Sequence, residues 1–188
     1  MYAQPFSDVP HDHPFCNEIR IAKFHGVVDG HPDGSFDPTS PVSRGEAAAI
    51  IFNAAAADSG ANPPPCAGDP FVDVPMDHPF CPKILVISGA DVMGGFTDGT
   101  FRPADPIGRG AVAAVLTRFP YGPLPLPDCL GDPFVDVPQT NVFCRHIQFM
   151  ANFGVVNGFV DGTFRPTIDV ARQEFVAMLV RRIDVLEA

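Results

Sequence analysis

Pro5-Phe6-Ser7-Asp8-Val9-Pro10 stands near the start of the chain and is read twice more, as Pro70-Phe71-Val72-Asp73-Val74-Pro75 and as Pro133-Phe134-Val135-Asp136-Val137-Pro138. Downstream of each copy comes a second landmark: Asp33-Gly34-Ser35-Phe36, Asp98-Gly99-Thr100-Phe101 and Asp161-Gly162-Thr163-Phe164. Beyond each of those lies an arginine, Arg44, Arg109 or Arg172. The same offsets, about 65 residues and then about 63, separate all three landmarks. Three copies in register over nearly the whole chain define a three-repeat protein, and the units must pack on one another to bury a core.

Each copy has the same grammar. Asp-Val-Pro is a turn, followed by apolar residues at helical spacing: Phe15, Ile19 and Ala22 in the first copy, Phe143, Ile147, Met150 and Ala151 in the third. Pro14 and Pro79 are expected in the first helical turn, where a missing N–H costs least. The helix is expected to stop near Gly26, Gly94 or Gly154. An Asp-Gly turn and a second helix follow. In the third copy that helix carries Phe175, Val176, Leu179, Val180 and Ile183 on one face and leaves Gln173, Glu174, Arg181 and Arg182 for the other. In the second copy the apolar face is Val112, Val115, Leu116 and Phe119. The expected units are 1–57, 68–118 and 131–188, with Pro-rich connectors over 58–67 and 119–130. The fold class is all-α, each unit two helices of about a dozen residues joined by a loop.

Composition agrees and narrows the function. The chain has 188 residues, 22 prolines, 17 glycines, 17 phenylalanines, no tryptophan and a formal charge of −10. The few Lys and Arg are scattered singly, which argues against a nucleic-acid partner. The longest apolar run, Ala47 to Ala57, is interrupted by Asn53 and is too short for a membrane span of about 20 residues. No basic-then-apolar leader follows Met1, so any secretory signal is expected to have been removed or to lie outside this chain. Cys66 and Cys81 are spaced as Cys129 and Cys144 are, and both pairs flank Asp-Val-Pro, so two intra-repeat disulfides are expected. A zinc site would need more ligands than two per repeat. Disulfides imply an oxidising compartment. Cys16 is left unpaired, and counting back by the same interval lands on Met1; a buried free thiol is expected, the alternatives being an intermolecular bond or a bond to a residue upstream.

These residues resemble the S-layer homology family. The pattern Phe-x-Asp-Val-Pro-x-x-His, then Gly-x-x-Asp-Gly-[Ser/Thr]-Phe-x-Pro, then an Arg-bearing tetrapeptide at the start of the second helix, spans roughly residues 5 to 188. The resemblance implies a pseudo-threefold helical spindle at the cell surface that holds noncovalently to cell-wall polysaccharide or peptidoglycan. The tetrapeptide is Ser43-Arg44-Gly45-Glu46, Gly108-Arg109-Gly110-Ala111 and Ala171-Arg172-Gln173-Glu174, so the acid is missing from the second copy. The aromatic that usually follows the histidine is Pro14, Pro79 or Val142 here.

Two readings of the arginines stand. In one, Arg44, Arg109 and Arg172, with Glu46 and Glu174, line inter-repeat grooves and hold a wall glycan, the guanidinium fork suiting carboxylates and helix N-termini reinforcing it. In the other, Ser43 and Glu46 form a capping box and the arginines dock one repeat on the next. Asp33-Gly34, Asp98-Gly99 and Asp161-Gly162 read as turns, since they lack the ligand series of a calcium loop. Asp8, Asp73 and Asp136 read as caps or turn acceptors, and His13 and His78 as structural, with Asn141 in their place in the third copy. No metal site, cofactor motif or catalytic set is recognisable. The expected function is therefore non-enzymatic attachment to the cell wall; the alternative is a self-assembling subunit that forms an extracellular sheet, tube or filament as a homo-oligomer.

Overall fold

The computed structural model describes residues 4–57 and 59–187. Among the described residues there are six helices: α1 (Cys16–Phe24), α2 (Arg44–Ala56), α3 (Cys81–Gly89), α4 (Arg109–Arg118), α5 (Cys144–Asn152) and α6 (Arg172–Glu187). The architecture is all-α, as the pattern requires, but the two helices of a repeat are unequal. The first of each pair has 9 residues; the second has 13, 10 and 16 in turn. Nine residues do not hold a helix in water on their own, so the short helices depend on packing. Each turns one narrow stripe inward: Cys16, Ile19 and Ala22 in α1, Cys144, Ile147 and Met150 in α5.

The stripe does not pack on its own repeat's second helix. α3 packs on α2, α5 on α4, and α1 on α6. Every short helix thus completes the preceding repeat, and the first repeat completes the third, which closes the chain into a ring with no open end. The segments entering the three long helices meet at the centre. There Val42 N–H donates to Val170 O at 2.9 Å, Val170 N–H to Ile107 O at 3.0 Å, and Ile107 N–H to Val42 O at 3.1 Å. This closed three-bond cycle, on buried Val42, Ile107 and Val170, marks a pseudo-threefold axis.

The repeated motifs build the turns that set the ring's radius. Phe6 stacks on Phe36 at 5.1 Å between ring centroids, Phe71 meets Phe101 at 5.2 Å and Phe134 meets Phe164 at 5.3 Å. Phe36, Phe101 and Phe164 are fully buried, each contributing about 1.5–3 kcal/mol by area removed from water. The glycine opening each Asp-Gly loop is set by this pair. A Cβ on Gly30, Gly95 or Gly158 would lie 2.5, 2.4 or 2.4 Å from the ring of Phe6, Phe71 or Phe134. The motif aspartate then reaches across the repeat. Asp136 accepts from the N–H of Phe164 and of Arg165, both at 2.7 Å, and Asp8 and Asp73 do the same to residues 36–37 and 101–102. The second residue of each clamped pair, Asp37, Arg102 or Arg165, has φ of 56 to 58°. This is a conformation that costs an L-residue energy unless its surroundings impose it.

Two disulfides, Cys66–Cys81 and Cys129–Cys144, tie each connector to the first turn of the following short helix. Cys16 holds the matching place in α1 as a buried free thiol; Met1, the position its partner would occupy, lies outside the described residues.

Three expectations are corrected. Pro14 and Pro79 sit ahead of the helices, not in them: Cys16 and Cys81 are the first helical residues, with Phe15 and Phe80 as N-caps. The preceding turn is closed by Cys16 N–H to His13 O and Cys81 N–H to His78 O, both at 2.9 Å, and proline fits because that turn asks nothing of its nitrogen. Gly94 does not end the second copy's helix. The helix ends at Gly89, and the left-handed residue matching Gly26 and Gly154 is Asp91, φ 54°. Arg182 does not face solvent. It is 5% exposed, with Nε and Nη2 donating to Leu116 O and Phe119 O, both at 3.0 Å. It thereby satisfies carbonyls left unpaired at the end of α4.

Candidate functional site

The arginines of the tetrapeptides stand at the seams of the ring, each reaching from one repeat to the next. Arg44 donates from Nε to Phe101 O at 2.8 Å and from Nη2 to Gly94 O at 2.8 Å. Arg109 repeats this on the third repeat, Nε to Phe164 O at 3.1 Å and Nη2 to Asn157 O at 2.9 Å. Arg172 closes the ring with Nη2 to Asp29 O at 3.0 Å. All three guanidinium carbons lie 4.8 Å from the centroid of the buried phenylalanine they meet: Phe101, Phe164 and Phe36. Stacked on a ring, and in Arg44 and Arg109 forked onto two carbonyls, they use the planar geometry that distinguishes arginine from lysine; Arg172 has one carbonyl, and its Nε is buried without a partner. Burial pushes all three below the ordinary arginine value, opposed by Asp105 and Asp73 at Arg44, by Glu174 at Arg109 and by Glu46 at Arg172.

The glutamates complete two of the seams. Ser43 and Glu46 form a capping box on α2: Glu46 N–H donates to Ser43 Oγ, and Ser43 N–H to Glu46 Oε2 at 2.9 Å. The other carboxylate oxygen, Oε1, meets Arg172 Nη1 at 3.2 Å. Glu174 repeats the arrangement more loosely, 3.4 Å from Ala171 N–H and 3.8 Å from Arg109 Nη1. At the third seam Ala111 supplies no acid.

The N-terminal amides of the long helices are already engaged. Arg44 and Gly45 N–H donate to Asp105 O and Pro103 O at 2.8 and 2.9 Å, and the pairs Arg109–Gly110 and Arg172–Gln173 make equivalent bonds to the next repeat. The expectation that these amides reinforce an anion site is therefore corrected; they seal the ring.

Phenylalanines wall the seams. The residue one beyond the Pro14, Pro79 and Val142 positions is aromatic in every copy, Phe15, Phe80 and Phe143. Phe80 and Phe143 lie over Gly45 and Gly110, where an added Cβ would come within 2.5 Å of the ring. The third equivalent residue is Gln173, and there Phe15 borders a hollow of about 220 Å³ with Arg109, Phe159, Glu174, Met178 and Arg181. Arg181 pairs with Glu18 at 3.3 Å across the α1–α6 contact. A larger, mainly apolar hollow of about 340 Å³ lies at the opposite end of the long helices, bordered by Ile21, Ala54, Phe119 and Ile183.

The remaining motif residues serve the turns. Asp33, Asp98 and Asp161 accept from the backbone and hydroxyl of Ser35, Thr100 and Thr163, and Gly34, Gly99 and Gly162 take φ of 80 to 85°. His13 and His78 accept at Nδ1 from the N–H two residues on, at 3.2 Å, and Asn141 does so with Oδ1 at 2.9 Å. The interchange of histidine and asparagine needs only a short side chain with an acceptor. Sequence reasoning missed Arg102 and Arg165, which cover the outer rings of Phe96 and Phe159 at 3.9 and 4.0 Å and pair with Asp98 and Asp161 at 2.8 Å. Their signal was their shared place immediately after the Asp-Gly-Thr-Phe motif.

The S-layer homology domain profile matches residues 5–48, 70–113 and 133–176, each match ending just past a seam arginine. The chain is 27% identical over 186 residues to a cellulosome-anchoring protein of Acetivibrio thermocellus, covering 96% of this chain and 39% of the relative. It is 29% identical over 164 residues to cell surface glycoprotein 1 of the same organism, covering 82% of this chain and 7% of the relative. An endoglucanase of Bacillus sp. strain KSM-635 is 32% identical over 119 residues, covering 63% of this chain and 12% of the enzyme.

Proposed function

The chain belongs to the S-layer homology family, and from that premise we propose that it is a non-catalytic module attaching to a cell-wall polysaccharide or peptidoglycan at the outer cell surface. The observation that carries the reading is the seam itself, where a guanidinium stacks on a phenylalanine at all three junctions between repeats and faces a glutamate carboxylate at two of them. Phenylalanine faces suit the apolar faces of sugar rings, and the charged pairs suit hydroxyls and acidic substituents. The ligand-holding residues would be Arg44, Glu46, Arg109, Arg172 and Glu174. The names of the anchoring and cell-surface relatives support an extracellular location, as do the two disulfides. No helix among the described residues is long and apolar enough to cross a membrane.

The chain spans less than half of either Acetivibrio relative, so what it would anchor is a property of a larger assembly. Co-sedimentation with purified cell-wall sacculi tests attachment: the chain is expected in the pellet, and a chain that stays in the supernatant refutes it. Self-association is a second reading, favoured by Phe24 and Tyr121, which are 85% and 79% exposed. A sharp monomer in sedimentation equilibrium at high concentration refutes that one.

A further inference from the structure

The pseudo-threefold axis also relates the contacts between each short helix and the long helix it packs on. The third residue of α1, α3 and α5 is Glu18, Lys83 and His146, and the tenth of their partners α6, α2 and α4 is Arg181, Asn53 and Arg118. Two of these pairs are complementary. Glu18 and Arg181 form an ion pair at 3.3 Å, and Lys83 Nζ donates to Asn53 Oδ1 at 2.9 Å. At the α4–α5 contact the pair is His146 and Arg118, both basic, and Nδ1 of His146 is buried without a partner. Arg145 adds a third basic group. Among the described residues the side chains of Arg118 and Arg145 have neither an acid nor a hydrogen-bond acceptor. The surroundings do not relieve the mismatch. The charges that bear on His146 are these two arginines, and together with burial they lower its pKa to about 4. Arg145 and His146 stand in the first turn of α5, where the helix dipole favours negative charge, and that turn holds no acid. Of the acids flanking Cys129, Asp128 is exposed and Asp132 accepts from Gln139 N–H. Arg109, the other charge on α4, lies at the opposite end of that helix, about 13 Å away by helical rise.

We propose that Arg118, Arg145 and His146 form a site for a divalent tetrahedral oxyanion, the group carried by a phosphate or sulfate ester. The anion supplies between α4 and α5 the negative charge that Glu18 supplies between α1 and α6. Its valence follows from the donors. A single carboxylate is balanced by one guanidinium, as Glu18 is by Arg181; here two guanidinium groups and an imidazole act on one corner of the ring, and a tetrahedral group has an oxygen for each. Of the two imidazole nitrogens only Nδ1 is closed off, so Nε2–H is the donor that an outside oxygen meets. The formal charge of −10 does not forbid an anion here, because salt screens charges more than about 8 Å apart at physiological ionic strength. The site uses none of the seam arginines, so it stands whether or not the seams hold a wall polymer.

The experiment follows the six histidine imidazoles of the intact ¹⁵N-labelled chain, disulfides formed, by NMR at neutral pH. Sodium sulfate, methyl phosphate and sodium acetate are titrated in turn, with ionic strength held constant by sodium chloride. His146 is expected to move saturably with both dianions while the other five histidines stay in place, and acetate is expected to bind about tenfold more weakly or worse. The tighter of the two dianions identifies the ester. Arg145 is exposed, so Arg145→Gln leaves the fold intact and should weaken binding about tenfold, the loss of one charge-assisted contact. His146→Glu gives Arg118 the internal acid that Arg181 has in Glu18 and should abolish the response of the Arg145 amide to sulfate. A His146 that moves no more than the other histidines, or that moves with acetate as readily as with sulfate, overturns the proposal. So does an Arg145 amide whose response survives in His146→Glu. A chain that sediments with sacculi while His146 ignores both dianions keeps attachment and loses this site; the reverse outcome keeps the site and loses attachment.

Discussion

Asp136 gives the sharpest test of how the repeated motif holds the fold. Its two carboxylate oxygens accept from Phe164 N–H and Arg165 N–H at 2.7 Å each, and the second of these residues has φ of 58°. Asparagine has the same shape but only one acceptor. In Asp136→Asn one amide keeps a neutral oxygen and the other faces an NH₂ group, donor against donor. A hydrogen bond to an ionised partner is worth about 1.5–3 kcal/mol, and a neutral one about 1. Losing one charged bond and weakening the other therefore costs about 2–4 kcal/mol, and release of the left-handed residue adds no compensation because Phe164 remains buried. Asp136→Ala loses both bonds but lets water reach Arg165 N–H, which is exposed, so it should land within about 1 kcal/mol of the asparagine variant. For a domain of this size about 3 kcal/mol lowers Tm by about 6–12 °C. Urea unfolding followed by far-UV circular dichroism, with the disulfides intact, gives the number. If Asp136→Asn is within about 0.5 kcal/mol of the unaltered chain while Asp136→Ala is strongly destabilised, shape rather than charge holds the turn and the clamp reasoning fails.

Other consequences follow from single contacts. Arg182→Met should cost about 2–4 kcal/mol by chemical unfolding, because it strands Leu116 O and Phe119 O in the interior; an unchanged midpoint would show that those carbonyls find other donors. Gly110→Ala should destabilise by about 1–3 kcal/mol, since a Cβ there meets Phe143 at 2.5 Å, and thermal melting reads it. Reducing both disulfides should lower Tm, each closed loop of about 15 residues being worth about 3 kcal/mol in the loop-entropy account; an equal melt with and without reductant would contradict it. Burial, with help from Arg118 and Arg145, lowers the His146 pKa from 6.5 to about 4. The unfolded chain then binds the extra proton first, so the contribution of neutral His146 is whole above pH 6.5 and is lost as the pH falls toward 4. His146→Gln should flatten stability over that window, and an imidazole titrating near 6.5 by NMR would refute the assignment.

The sequence made the repeats, the helices and the turn residues legible because their signals are local. Asp-Gly with a following Ser or Thr is strong turn chemistry, and apolar residues recurring every three to four positions fix a helical face. What it could not show is which surface each face meets. Nothing in a linear repeat says that α1 leaves its own repeat and packs on α6, because ring closure depends on the angle between units. The same ignorance misplaced Arg182, which lies seven residues after Phe175 and three after Leu179, on the border of the apolar face of α6, and which only its charge argues to the other side. In the ring that side meets the end of α4, where unpaired carbonyls reward a buried guanidinium. Gly94 reads as the helix end because glycine commonly takes the left-handed position, and here Asp91 takes it instead. Asp8, Asp73 and Asp136 were legible as acceptors, but their donors lie 28 and 29 residues away, beyond any local rule.

The seams also show why structure and binding are entangled in this chain. Arg109 is 4% exposed and donates to two carbonyls of the next repeat while bordering the hollow beside Phe15 and Phe159. An Arg109→Ala variant would unlatch the ring and empty the cleft together, so its failure to bind a wall would say little about ligand contact. Glu174 separates the two roles. It is 30% exposed at the side chain and only 3.8 Å from Arg109, a distance at which the pair adds at most about 1 kcal/mol. Glu174→Gln keeps the volume and the acceptor for Ala171 N–H but removes the charge. Its Tm should stay within about 3 °C of the parent, while sedimentation with sacculi should change if that carboxylate touches the polymer. Unchanged sedimentation would remove Glu174 from the ligand set and leave it as the cap of α6.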